Sequence, residues 1–232
     1  LPIEQLEVKK TKYLMATFLG GPNNQYVGFR EAMIIAKKLN RAIILPFFCP
    51  HGTVKHLSKQ KIFKFDETFD VDYIKKNIDC YFFDQITERP KTVYHLRRDK
   101  SQDISQSKYY LGLYDKVYNF RPQDLPCVYL KKTWFTEDSD LDELRQIDED
   151  VLCLCGVFNN LKLSKCSRNH CLNCDIHPYY NSIYHQMTYN FMKSDHIRQE
   201  ALDFIKRTFN NNNFIGFHMR TSDTIGKKNF HE

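Results

Sequence analysis

Residues 13–48 constrain the fold of this chain more than any other stretch. An apolar run, Tyr13 to Leu19, leads into Phe18-Leu19-Gly20-Gly21-Pro22-Asn23-Asn24-Gln25. Phe29, Ala32, Met33, Ala36 and Leu39 then recur at helical spacing. Arg41 to Phe48 reads as a second strand, with Ile43-Ile44-Leu45 at its centre and Pro46 ending it. The order is strand, Gly-rich turn, helix, strand. The glycines allow a ligand close to the backbone, and the helix start offers N–H groups to an anion. A β–α turn that holds no ligand has the same pattern.

A second segment near the other end is Phe214-Ile215-Gly216-Phe217-His218-Met219-Arg220-Thr221-Ser222-Asp223. It reads as a buried strand whose carboxyl end carries a cation and a carboxylate. Ligands of open α/β sheets bind at that end of the strands. An arginine there can fork onto a phosphate through paired N–H donors. The plainer reading of Arg220 is a structural ion pair with Asp223, and that of His218 is a core histidine.

Between these segments, Asp72 to Asn77 is expected to be helical, and Cys80 to Phe83 and Val151 to Phe158 to be strands. Residues 86–110 are polar, broken by Arg89-Pro90, and read as an irregular excursion. Pro178 to Phe209 is mostly helical in pattern. Ile197, Ala201, Phe204 and Ile205 share one face, and Asn210 to Asn213 end the run. Strands alternating with helices predict an α/β domain with a largely parallel sheet. The 232 residues, 42% hydrophobic and 14% aromatic, supply ample core for one or two domains. No run approaches the ~18 apolar residues of a membrane span, so any membrane attachment would come from an anchor outside the chain.

Net charge is +6, unevenly spread. Glu137 to Asp150 holds eight acidic residues against one arginine, which leaves a basic body suited to phosphates. No basic run is interleaved with aromatics, so nucleic acid is not an expected partner. The densest basic cluster, His95 to Lys100, reads as a solvated loop. The acidic stretch contains three Asp-x-Asp matches, but composition alone accounts for them. Leu141, Leu144 and Ile147 there mark a short amphipathic helix, so no metal site is expected.

Eight cysteines, three of them in the loop from Cys166 to Cys174, suggest disulfides and an oxidising compartment. The alternative is zinc on Cys166, Cys171 and Cys174 with His170 or His177. A single CxxC supports that less well than two pairs would. Cys153 and Cys155 share one strand face, so each pairs elsewhere or stays a buried thiol. No Asn-x-Ser/Thr sequon occurs.

Taken together, the segments resemble the GDP-fucose protein O-fucosyltransferase family. Gly20, Asn24 and Gln25 match its Gly-x-x-x-Asn-Gln turn. Leu39-Asn40-Arg41, then Ile43 to Pro46, match the end of its first helix and its next strand. Phe69-Asp70-Val71, with Ile74, is similar to its Phe-Asp-Val-x-x-Leu segment, and His218 and Arg220 match its later His-x-Arg strand. The ending from His218 to Asp223, with the acid three residues after Arg220, looks closer to the related α1,6-fucosyltransferases. The resemblance implies a Rossmann-like N-terminal lobe of a GT-B glycosyltransferase over residues 1–210. Residues 211–232 would be the first strand and loop of a second, nucleotide-binding lobe, making this a fragment or short form. It implies an inverting transferase that moves L-fucose from GDP-fucose to a protein (Ser/Thr) or glycan hydroxyl, needs no cofactor, and works in the endoplasmic reticulum or Golgi lumen. Arg220 would be catalytic. Gly20, Gly21, Asn24, His218 and Asp223 would contact the donor. The base for the acceptor hydroxyl is unassigned, because Gly21 and Pro22 stand where one branch of the family has a glutamate. A catalytically inactive lobe that binds a protein or glycan partner is the alternative, and a small zinc or nucleic-acid module a more distant one.

Overall fold

The computed structural model describes residues 10–49, 62–96, 103–135, 138–157, 161 and 192–210, with backbone alone for 103–108. The chain divides into two compact units, Leu1–Ser194 and Asp195–Glu232.

The first unit is built on a six-stranded parallel sheet. Its strands are β1 (Tyr13–Phe18), β2 (Ala42–Leu45), β3 (Cys80–Phe82), β4 (Val93–His95), β5 (Cys127–Tyr129) and β6 (Val151–Val157). They lie in the order β3-β2-β1-β6-β4-β5. β1 pairs with β2 from Tyr13↔Ala42 and with β6 from Tyr13↔Val151. The helices are α1 (Pro22–Lys38), α2 (Val71–Lys75), α3 (Asp103–Tyr118) and α4 (Asp142–Arg145), with α5 (Asp195–Phe209) in the second unit. Right-handed crossovers running in opposite directions put their helices on opposite faces. Accordingly α1, which links β1 to β2, covers one face, and α3, which links β4 to β5, covers the other.

Strand alternation assigns each side chain to a layer. Leu14, Ala16 and Phe18 of β1, with Leu152 and Leu154 of β6, pack with Phe29, Ala32 and Met33 of α1. Met15, with Val151, Cys153 and Cys155, packs with Tyr110, Leu111 and Tyr114 of α3. Phe29 is fully buried and stacks at a tilt on Phe65, ring centroids 4.9 Å apart. Such a side chain contributes about 1.5–3 kcal/mol by leaving water.

The strands expected from 13, 41, 80 and 151 are all present, and so is the short helix carrying Leu141 and Leu144, both buried. The irregular excursion over 86–110 is corrected. It contains β4, an interior strand, and the start of α3. A three-residue strand gives too short a pattern to register. In α3 the buried Tyr110, Leu111, Leu113 and Tyr114 sit nearly in succession, which obscures the helical period. β5, an exposed edge strand, was also not foreseen. Of the stretch expected to be mostly helical, Asp195–Phe209 is a helix, whereas Lys193 bridges Phe69 instead; of the expected face, Ile197 and Ile205 are half-buried but Ala201 and Phe204 are exposed. Residues 178–191 lie outside the described part.

Disulfides do not hold for the five described cysteines: no bridge joins any of Cys49, Cys80, Cys127, Cys153 and Cys155. Four are buried within the core, and Cys153 and Cys155 do share one face of β6. Cys166, Cys171 and Cys174 lie outside the described residues. The acidic stretch is tied up in ion pairs: Asp138 and Asp142 with Arg145, at 2.5 and 2.6 Å, and Asp140 with Lys132.

Candidate functional site

The sheet reverses its direction of growth at β1. β2 and β3 lie to one side, and β6, β4 and β5 to the other. The carboxyl ends of β1 and β6 therefore flank the crevice where α/β sheets bind ligands. The β6 side of that crevice is irregular. Ala16 pairs with Leu154 but Phe18 with Val157, so β6 carries one extra residue beside Gly156, whose φ is 80°.

The Gly-rich turn closes the β1 side. Gly20 has φ 78°, a conformation that favours glycine. A Cβ there would also lie 2.4 Å from Asn24 Nδ2, because Asn24 folds back over the turn. Gly21 is the N-cap of α1 and Pro22 follows it. No side chain caps this helix start and its first turn has no acidic residue, so the end keeps its partial positive charge for an anion. Gly20 is buried, Gly21 half-buried and Asn24 exposed.

Behind the turn lies a buried polar cluster that the sequence reading missed. The Gln25 carboxamide pairs with the backbone of Cys49. Its oxygen accepts from the Cys49 N–H (2.9 Å) and its nitrogen donates to the Cys49 carbonyl (2.6 Å). The nitrogen also donates to the Gly20 carbonyl (3.0 Å) and the Tyr110 hydroxyl (2.8 Å). That hydroxyl donates to the Gly20 carbonyl in turn. Burial pushes the Cys49 thiol up to about 12 and raises the Tyr110 phenol as well, so both stay protonated. Two signals point to Gln25 alone: it falls among the apolar positions of α1, and it closes the Gly-x-x-x-Asn-Gln turn.

Two other motif segments prove structural. Asn40, at φ 51°, ends α1, and the Arg41 N–H returns to the Ala36 carbonyl at 2.9 Å. The Arg41 guanidinium donates to the carbonyls of Tyr13, Ile147 and Glu149 at 3.2, 2.8 and 2.7 Å, at the amino ends of β1 and β6. Phe69 is buried in the core, and the Asp70 carboxylate caps α2 by accepting from the Tyr73 N–H at 3.1 Å. A cleft of about 850 Å³, lined by Lys37, Arg41, Lys75 and Lys76 among others, also opens at that amino edge, remote from the Gly-rich turn. Glu31, the carboxylate nearest the turn along α1, is buried.

A family model for GDP-fucose protein O-fucosyltransferases matches residues 13–229. The chain belongs to that family. Its fold agrees with solved structures of POFUT1. The apo form superposes with a TM-score of 0.57 at 17% identity, over 85% of this chain and 56% of that one. The GDP complex gives 0.56 at 16% identity, over 86% and 57%, and a GDP-fucose complex 0.54 at 15%, over 85% and 55%. This chain thus spans little more than half the length of those structures. No curated protein sequence matches it. The sheet and its two helical layers are a Rossmann-like lobe of the GT-B type. Gly20 and Gly21 form the turn at the crevice, and Asn24, in the first turn of α1, lays its side chain against Gly20. His218, Arg220 and Asp223 fall inside the matched range but outside the described residues.

Proposed function

We propose that the protein transfers L-fucose from GDP-fucose to a hydroxyl of a protein or glycan acceptor, with inversion. The observation that carries this reading is the uncapped Gly-rich turn at the crevice of a lobe whose family match extends through His218 and Arg220. In the reaction the bond from the anomeric carbon to the β-phosphate oxygen breaks, a bond to the acceptor oxygen forms, and the hydroxyl proton is lost. Negative charge grows on GDP as the sugar gains oxocarbenium character. Arg220 is assigned to that charge, where a fixed cation in a water-poor cleft is worth several kcal/mol in order of magnitude. Gly21 and Asn24 would contact the donor from the Gly-rich turn and the start of α1, which Gly20 makes possible, and His218 and Asp223 would contact the nucleotide or orient Arg220. The first turn of α1 supplies no base, and Glu31 is buried away from solvent. No cofactor is needed for this chemistry. Work in the endoplasmic reticulum or Golgi lumen is the matching compartment, which fractionation of tagged protein would test.

The deciding experiment titrates GDP-fucose into the full-length protein beside Arg220→Ala, and follows fucose transfer to candidate acceptors. Transfer by the wild type, and a loss of about a hundredfold or more in the variant, is expected. Donor binding without transfer to any acceptor would instead favour a lobe that binds a partner without catalysis.

A further inference from the structure

We propose that Gln25 and Tyr110 are positioning residues: from behind the Gly-rich turn they fix the Gly20–Gly21 peptide so that its N–H faces the donor. The inference rests on the donor reading above for the ligand, and on the geometry of the cluster for the mechanism.

A peptide unit is planar and trans, so its C=O and N–H point in opposite directions. The Gly20 carbonyl takes two donors from the interior, the Gln25 carboxamide and the Tyr110 hydroxyl. Both of its lone-pair directions are thereby used on the buried side. The N–H of the same peptide belongs to Gly21, and it must point away from the cluster, at the N-cap of α1. Gly20 has no side chain to hold this arrangement, and its φ of 78° is one that glycine leaves readily. The direction of the N–H is therefore set by Gln25 and Tyr110.

Gln25 is itself held. Pairing with both the N–H and the carbonyl of Cys49 allows only one orientation of the carboxamide. One amide hydrogen goes to Cys49, and the other is shared between Gly20 and Tyr110. The cluster joins the turn after β1, the chain leaving β2, and α3 on the opposite face of the sheet. Cys49 and Tyr110 are 24 and 85 residues from Gln25 in sequence, so the turn is fixed by the fold and not by its neighbours. Ordinary core packing would not require two buried polar side chains to converge on one carbonyl, since each must be desolvated to do so.

The test compares Tyr110→Phe and Gln25→Glu with the wild type in the full-length protein. The first removes one hydroxyl. The second keeps the shape and the bond from the Cys49 N–H but loses the donations. Amide exchange without ligand, read by mass spectrometry, reports the turn (residues 19–25) against β1 and β6. GDP-fucose titration reports the consequence. Exchange about tenfold faster in the turn alone is expected, with donor affinity weakened by about the same factor, as for loss of one buried hydrogen bond. If Gln25→Glu does not fold, Tyr110→Phe carries the test. Unchanged exchange in the turn overturns the proposal, as does acceleration spread evenly over β1 and β6, which would mark an ordinary core contact. A loosened turn with unaltered donor affinity also overturns it. A turn that loosens in the variants while wild type binds no GDP-fucose upholds the clamp and sinks the donor reading instead.

Discussion

Three glycines make opposite demands on a methyl group. At Gly28 a Cβ would sit 2.3 Å from the Val157 carbonyl oxygen and 2.7 Å from Phe18, so α1 could not stay seated on β1 and β6. Gly28→Ala is expected to lower unfolding stability by about 1–3 kcal/mol in urea titration. At Gly112, on α3, nothing lies within 4 Å, and alanine should add about 0.5–1 kcal/mol through helix propensity. Equal shifts at the two positions would contradict this packing. Gly20 differs again, since its φ and the Asn24 side chain both exclude a Cβ. Although Asn24 falls within the first turn of α1, sequence alone places Gly20 and Gly21 on a turn before a helix, because glycine and a helix start carry that signal. It does not reveal the joining of Gln25, Cys49 and Tyr110, because a hydrogen-bond network across 85 residues leaves no periodicity to read.

Among the elements, those with a sustained apolar run or a clear helical period are readable, and those with neither are not. β1, β2 and β6 announce themselves through continuous apolar runs, as strands buried on both faces do. β4 has three residues and lies one strand in from the β5 edge, interior because β6 covers its other flank. Its burial is a property of the assembled sheet. Leu39-Asn40-Arg41 matches the family pattern, and the structure gives it a mechanical task. Arg41 is 6% exposed and gathers three carbonyls from the segments entering β1 and β6. Arg41→Met is expected to cost about 2–4 kcal/mol, since bonds from a charged donor are lost and buried carbonyls are left behind. Denaturant titration would measure it, and a loss below about 1 kcal/mol would show that water takes over those carbonyls. The damage falls at the amino edge, so donor affinity below the melting temperature should be little altered.

For the whole molecule, the decisive fact is the place of β6. It lies between β1 and β4, yet it follows both in sequence, 138 residues after β1 by its Tyr13↔Val151 pairing. A chain ending at residue 150 should therefore show no cooperative unfolding and should bind hydrophobic dyes, whereas one ending at Ser194 should melt cooperatively. A cooperative transition in the shorter chain would mean that β1 and β4 can pair without β6. The same order bears on how the protein is made. Translation proceeds at about 5–20 residues per second, so β1 waits roughly 7–28 s for its central neighbour to be synthesised. Through that interval β1 has one bare edge, and two apolar faces have at most partial cover. A nascent chain in that state is a substrate for chaperones, and mutations that lengthen the wait would reduce yield without changing the finished fold.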